Sequence, residues 1–200
     1  ATSSTSRSPK VVDVAGALAF LGERGIRRVA LFGSSMGGIT ALAAVAVLGD
    51  GRLAAADADP DAPSAQVDIP QPRVVAVVAD SVPPELAVVV ASRMRLPFGR
   101  RIADRTFGRL ARRLGADPRD TQPLAVIGLL EDVPLLLVHG EQDTTVPIGD
   151  ARRLAAAAPQ GTRHLVVPGA GHAGAHAADP DAYEAAVTEL LRGAFGRGRE

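Results

Sequence analysis

The chain has 200 residues, of which 46% are hydrophobic and 22% charged, which suits one folded domain and excludes a wholly disordered protein. Its 22 basic residues equal its 22 acidic residues and only 3% of residues are aromatic, so the composition indicates no nucleic-acid partner. Cysteine is absent, which excludes disulfides, thiol catalysis and cysteine-based metal sites. No apolar run is long enough for a membrane helix and the N-terminus lacks a signal-peptide pattern, so we expect no membrane partner and a cytoplasmic location.

The first quarter of the chain predicts a tail, a helix, a strand and a second helix. Residues 1–10 are polar and rich in serine and threonine, which is typical of a disordered terminus. Apolar residues recur at three- and four-residue steps over 11–21, and glycines then end this predicted helix. The segment 28–32 is apolar after Arg28 and shows no alternation, as in a buried parallel strand. A glycine-rich turn at 33–38 separates it from an apolar helix over 39–48.

Two segments of different composition interrupt the middle of the chain. Residues 49–73 mix aspartates with prolines and predict a flexible surface loop. A second buried strand follows at 73–79. The stretch 85–130 is predicted to be helical and is rich in arginine, a pattern typical of a solvated helical insertion.

The last third repeats the alternation of strand and helix. Strands are predicted at 134–138 and 164–167, a helix at 149–158, and a final helix that begins at Pro180 and runs to about residue 195. Such alternation predicts an α/β fold over 11–200, with a mostly parallel sheet and helices on both of its faces. In these sheets ligands bind beyond the carboxyl ends of the strands. Four polar residues fall at or beyond those ends: Ser35, Asp80, Asp143 and His172.

The turn after the first strand carries a candidate nucleophile. Its sequence, Gly33-Ser34-Ser35-Met36-Gly37, matches G-x-S-x-G between an apolar strand and an apolar helix. In such a turn the flanking glycines let the two chain segments pass closely, which raises the central serine above the sheet. The helix N-terminus beneath the serine stabilises developing negative charge. This frame selects Ser35 over Ser34, and an ordinary glycine-rich turn is the alternative.

A serine nucleophile needs a base, and the chain has four histidines. His172 follows the last strand in a glycine-flanked loop, where an imidazole can reach the turn at Ser35. His176 is the competing candidate, four residues further on. His139 ends the third strand and is interpreted as a buried or capping residue, and His164 as structural or exposed.

The base in turn needs an acid that orients it. Asp143, just past the third strand, is the preferred candidate, and Asp80, at the end of the second, is the alternative acid. Asp80 can also be interpreted as a cap of the following turn, and Glu141 as a solvated loop carboxylate.

Three motifs together resemble a known family. They are Gly-Ser-Ser-Met-Gly-Gly at 33–38, His-Gly-Glu-Gln-Asp-x-x-Val-Pro at 139–147, and Pro-Gly-Ala-Gly-His at 168–172. In this order they resemble the α/β-hydrolase superfamily, and in particular its compact bacterial esterases, dienelactone-hydrolase-like enzymes and serine-peptidase-like hydrolases. The resemblance covers most of residues 11–195.

The resemblance implies a Ser-His-Asp triad without a metal or organic cofactor. Ser35 would be the nucleophile, His172 the general base and Asp143 the residue that orients it, while the backbone N–H of Met36 would be one oxyanion donor. The arginine-rich stretch 85–130 occupies the place of the family's helical lid.

One part of the family pattern is missing. The resemblance implies earlier strands before the nucleophile strand and a second oxyanion N–H from a loop among them, but few residues precede Val29–Phe32 here. We therefore expect the chain to match the C-terminal half to two thirds of a hydrolase. We also expect an upstream segment or self-association to cover the exposed edge of this strand.

The leading functional hypothesis is a carboxylesterase-like serine hydrolase that cleaves an ester, a thioester or a related acyl bond of a small molecule through an acyl-enzyme. One alternative is a truncated or non-catalytic protein that keeps the hydrolase fold. Another is a member with cofactor-free haloperoxidase-like or C–C hydrolase chemistry.

Overall fold

The apolar runs identified in the sequence form the central sheet of the structure, a computed structural model that describes residues 9–48, 72–89, 105 and 122–196. The strands are β1 (Arg28–Ser34), β2 (Arg73–Asp80), β3 (Leu135–Gly140) and β4 (Arg163–Val167). The helices with defined bounds are α1 (Pro9–Glu23), α2 (Met36–Leu48), α3 (Pro123–Val126), α4 (Ile148–Ala156), α5 (Ala175–Ala178) and α6 (Pro180–Gly196). A short 3₁₀ helix, Ile127–Leu129, follows α3 directly.

The strands form one parallel sheet in the order β1-β2-β3-β4. Because all four run in the same direction, their carboxyl ends meet at one edge, where Ser34 of β1 pairs with Asp80 of β2 and Gly140 of β3 pairs with Val167 of β4. This arrangement places the loops after the strands beside one another.

Helices cover both faces of the sheet, as the sequence predicts. Side chains of β2 alternate between two cores: Val77 joins the one that includes α1 and α2, whereas Val78 joins the one that includes α6. Helix α2 is apolar on nearly all sides because it lies between α1 and the sheet. The α/β fold class with a parallel sheet is therefore confirmed.

Three expectations fall wholly or largely on residues outside the described ranges. These are the tail at 1–10, of which the structure describes only the start of α1 at Pro9, the loop at 49–73 and most of the helical lid at 85–130. Within the described residues of that last stretch, 86–89 and α3 are helical. Among the helices that the structure describes, none has both the length and the apolar character needed to cross a membrane.

Strand β1 lies at the edge of the described sheet. It pairs with β2 on one side, and among the described residues no strand pairs with its other side. Phe32, the fifth of the seven residues of this strand, is 58% exposed. The edge therefore presents both apolar surface and backbone groups without a strand partner in the part of the chain described.

Candidate active site

Ser35 lies between the end of β1 and the start of α2, in the turn that the sequence selects. Its φ of 50° lies in the left-handed region, which is rare for residues other than glycine and marks local backbone strain. Its N–H donates to the carbonyl oxygen of Asp80 at 2.8 Å, and its own carbonyl accepts the N–H of Ile39 in the first turn of the helix. The turn is thus held from both sides.

The close approach of strand and helix at this turn requires two glycines, Gly33 and Gly38, of which only Gly33 was predicted. A Cβ atom on Gly33 would overlap the carbonyl group of Gly37, so the prediction for Gly33 agrees with the structure. A Cβ on Gly37 itself would meet nothing within 4 Å, so this glycine is not required sterically. Gly38 is the second crowded position, because a Cβ there would overlap the side chain of Val82.

His172 reaches Ser35 from the loop after β4. Its Nε2 lies 3.0 Å from the Ser35 hydroxyl oxygen, and its Nδ1 lies 2.7 Å from Oδ2 of Asp143. Since a carboxylate only accepts hydrogen bonds, Nδ1 carries the proton and Nε2 is left to accept the serine hydroxyl proton. The structure therefore brings together all three residues of the expected triad in one chain of hydrogen bonds.

Asp143 is buried, and its carboxylate is held by the backbone of its own loop. Its side chain has 0% exposure, and its Oδ1 accepts the N–H groups of Thr145 and Val146, each at 2.8 Å. The second oxygen is left for the imidazole of His172. One carboxylate oxygen thus fixes the loop while the other orients the histidine.

His139 supports the same loop. It is buried, its Nε2 donates to the carbonyl oxygen of Val146 at 2.8 Å, and the same atom lies 3.6 Å from Oδ2 of Asp143. The interpretation of His139 as a buried, structural residue agrees with these contacts.

The loops that carry Asp143 and His172 pack against each other through Gly140, which sequence reasoning did not select. A Cβ on Gly140 would lie 2.5 Å from the carbonyl oxygens of Ala170 and Gly171. The sequence signal that could have identified Gly140 is a glycine at the end of a strand, directly after His139. Only glycine lets the two loops approach this closely.

The competing candidates lie elsewhere. His176 is exposed and pairs with Glu184 at 3.0 Å, and His164 is exposed on β4. Asp80, the alternative acid, is buried, but its two carboxylate oxygens accept the hydroxyl groups of Ser81 and Tyr183 and not the imidazole of His172.

The expected oxyanion donor, the N–H of Met36, lies at the start of helix α2. Met36 is its first residue, so its N–H belongs to the group of amides that a helix ladder leaves free. Among the described side chains, no three His, Asp or Glu are grouped as ligands for a metal ion.

Comparison with known proteins identifies the family of the chain. The model of the alpha/beta hydrolase family matches residues 2–186. No curated protein matches the sequence.

Solved structures with related folds are similar over most of this chain. They include the esterase Pf2001 of Pyrococcus furiosus, with a TM-score of 0.58, 18% identity, and coverage of 96% of this chain and 64% of that one. The esterase domain of a Rhodothermus marinus protein has a TM-score of 0.55, 21% identity, and coverage of 91% and 67%. For a puromycin-hydrolyzing peptidase of Mycobacterium tuberculosis the corresponding values are 0.53, 21%, 82% and 22%.

The chain thus spans less than two thirds of the Pyrococcus furiosus esterase. The identities are low, so these neighbours establish the fold, whereas the family model covers most of the sequence and includes all three residues that meet at the end of the sheet. The chain belongs to the alpha/beta hydrolase family.

Proposed function

We propose that this chain is a serine hydrolase that cleaves a carboxylic ester, a thioester or a related acyl bond of a small molecule. The observation that carries the proposal is the continuous contact from Ser35 through His172 to Asp143, at 3.0 and 2.7 Å. Family membership supports hydrolysis, and the esterases among the structural neighbours support an ester as the substrate.

The proposed reaction begins with proton transfer from Ser35 to Nε2 of His172 as the serine oxygen attacks the carbonyl carbon. The negative charge that develops on the carbonyl oxygen is stabilised by the Met36 N–H and the N-terminus of α2. His172 then donates its proton to the leaving group, which departs and leaves an acyl-enzyme. A water molecule, deprotonated by the same imidazole, then attacks the acyl carbon. The bond to the serine oxygen breaks, His172 returns the proton to that oxygen, and the acid product leaves.

Asp143 acts on this cycle through His172. Its Oδ2 keeps the imidazole in the Nδ1–H tautomer and stabilises the positive ring that exists between the two proton transfers. Because Thr145 and Val146 bind the other carboxylate oxygen, the acid does not rotate away while the ring is charged.

Covalent labelling tests the proposal. A fluorophosphonate probe should attach to the 200-residue chain at Ser35, identified by peptide mass spectrometry, and Ser35→Ala should abolish both the label and the turnover of p-nitrophenyl acetate. Ser34→Ala is the matched control, because its hydroxyl is next in sequence and, among the described residues, has no hydrogen-bond partner. Labelling that persists in Ser35→Ala, or wild-type chain that is folded and neither labels nor turns over, would contradict the proposal.

A further inference from the structure

A second buried polar cluster lies beside the candidate triad and takes no part in the proton transfers. It consists of Asp80, Ser81 and Tyr183, which are 4%, 0% and 6% exposed. Asp80 and Ser81 follow each other at the end of β2, whereas Tyr183 lies 103 residues away from Asp80 on α6. Burying a carboxylate is costly unless its oxygens are hydrogen-bonded, so the contacts of this cluster need an explanation.

The cluster ends on the backbone next to His172. The Ser81 hydroxyl donates to Oδ1 of Asp80 at 2.9 Å and accepts the N–H of Ala173 at 3.0 Å. A serine hydroxyl rotates freely unless its proton is committed. The carboxylate of Asp80 commits that proton, so that a lone pair of the Ser81 oxygen faces the loop that carries His172.

Tyr183 binds the second oxygen of the Asp80 carboxylate. Its hydroxyl donates to Oδ2 of Asp80 at 3.2 Å. Burial and the nearby negative charge of Asp80 raise the pKa of Tyr183 well above its usual value, so the phenol stays a donor. Both oxygens of Asp80 are therefore bound by groups that fix its orientation.

The same dipeptide also contacts the nucleophile. The carbonyl oxygen of Asp80 accepts the N–H of Ser35 at 2.8 Å, and the N–H of Ser81 donates to the carbonyl oxygen of Val138 in β3. Asp80 and Ser81 thus bind the backbone of Ser35 on one side and the backbone that follows His172 on the other.

Backbone strain is found at the same positions. In the part of the chain that the structure describes, the non-glycine residues with positive φ are Ser35, Ser81 and Ala173, at 50°, 53° and 54°. Each contacts the Asp80–Ser81 dipeptide or belongs to it. Such strain persists only where surrounding contacts impose it, and it clusters at functional sites.

We propose that Asp80 and Ser81 are positioning residues that set the distance between His172 and Ser35. The proposal rests on the proposed function only for its kinetic consequence, because the position of the imidazole can be observed without turnover. Its chemistry differs from that of the triad acid: Asp80 acts through the Ser81 hydroxyl on the Ala173 N–H and never contacts the imidazole. An acceptor oxygen at residue 80 is needed, but its negative charge is not.

Kinetics of four variants of the 200-residue chain test this requirement. Ser81→Ala and Asp80→Ala should each lower kcat roughly 10- to 100-fold with KM unchanged, since a small misplacement of a catalytic group is costly. Asp80→Asn should keep kcat within a few-fold, because its amide oxygen still accepts the Ser81 hydroxyl and its NH₂ group can donate to Tyr183. Ser34→Ala, which removes a neighbouring hydroxyl outside the cluster, should match wild type.

A second measurement does not depend on activity. The proton on Nδ1 of His172 should give a low-field NMR signal, assigned by its loss in His172→Gln. Its exchange with water should be roughly tenfold faster in Ser81→Ala, because the loop opens more often. Exchange should be unchanged in Asp80→Asn and Ser34→Ala.

The outcomes are separable. Wild-type kcat and exchange in Ser81→Ala would overturn the positioning role, and so would a lowered kcat with unchanged exchange. A loss of kcat in Asp80→Asn as large as in Asp80→Ala would overturn the claim that residue 80 needs an acceptor oxygen but no negative charge. If Asp80→Ala does not fold, the positioning role is tested by Ser81→Ala, which removes a single oxygen atom. Absence of turnover in the wild type contradicts the proposed function, and proton exchange then still tests the positioning role.

Discussion

At the scale of the residue, the two carboxylates at the carboxyl end of the sheet, Asp80 and Asp143, differ by what binds their second oxygen. The oxygen of Asp143 that remains after the Thr145 and Val146 amides are satisfied faces His172. The corresponding oxygen of Asp80 faces the Tyr183 hydroxyl. Both side chains are buried, so burial alone does not identify the acid. The contact with His172 favours Asp143 as the acid of the proposed triad.

Asp143→Asn should separate catalysis from folding. The amide oxygen can still accept the Thr145 and Val146 N–H groups, which leaves the NH₂ group facing Nδ1 of His172 and favours the tautomer that cannot accept the Ser35 proton. We expect kcat for a p-nitrophenyl ester to fall by about 10⁴, with an unfolding midpoint close to that of wild type. Asp80→Asn is the matched control, and a larger loss in that variant would place the acid at the end of β2.

The triad candidates were predictable from the sequence because they follow apolar strands, and parallel strands end at one edge. Ser81 and Tyr183 were not predictable from the sequence. Their role depends on Tyr183 meeting Asp80 across 103 residues, which no local pattern encodes. Asp80 itself was selected, but as an alternative acid or a cap of the next turn, because its partners were not visible from sequence.

At the scale of the element, the turn between β1 and α2 is set by steric contact. The Cβ of an alanine at residue 33 would overlap the carbonyl group of Gly37, whereas that of an alanine at residue 37 would enter open space. The G-x-S-x-G pattern treats the two glycines as equivalent, but the structure makes them unequal. The spacing of the motif does not reveal which of two crossing segments presents its Cβ to the other, so the sequence alone could not distinguish the two glycines.

Gly33→Ala and Gly37→Ala test this asymmetry. We expect Gly33→Ala to lower the free energy of unfolding by about 1–3 kcal/mol through overpacking against backbone that cannot move aside. Gly37→Ala lies within α2 and should be neutral or stabilising by up to about 1 kcal/mol, because alanine favours helix. Urea unfolding followed by circular dichroism measures both, and equal destabilisation in the two variants would contradict the argument.

The strands and the longer helices were predictable because their apolar patterns are strong, although β1, β2 and β3 continue one or two residues beyond the apolar runs. Those added residues, among them Ser34 and Asp80, are polar or glycine, so hydrophobic pattern could not extend the strands to them. Backbone hydrogen bonds to the neighbouring strand extend the strands over these residues instead.

At the scale of the whole molecule, the edge at β1 is the feature with the clearest consequence for behaviour in solution. We propose that this edge, which includes Phe32, mediates self-association of the 200-residue chain. Among the described residues no strand pairs with the outer side of β1, and backbone groups without a strand partner beside an exposed apolar side chain are a template for pairing with a second copy.

Size-exclusion chromatography with light scattering should show a mass that rises with concentration. Phe32→Lys, which places a charge on the edge, should shift the chain towards monomer. Leu129→Lys is the matched control, because Leu129 is 69% exposed and lies outside the sheet. A wild-type chain that is monomeric at all concentrations, or an equal effect of both substitutions, would contradict the proposal.

The order of the strands in the sheet is also their order of synthesis. Ser35 precedes His172 by 137 residues, which a ribosome adds in about 7 to 27 s. Each strand can dock on the one made just before it, so β1 and β2 can pair while the rest of the chain is still being made. During that interval the growing polypeptide carries a serine in its strained turn without a base to activate it. A product released after residue 167 and before residue 172 would contain all four described strands, but under the proposed mechanism it would lack the base and should not cleave esters.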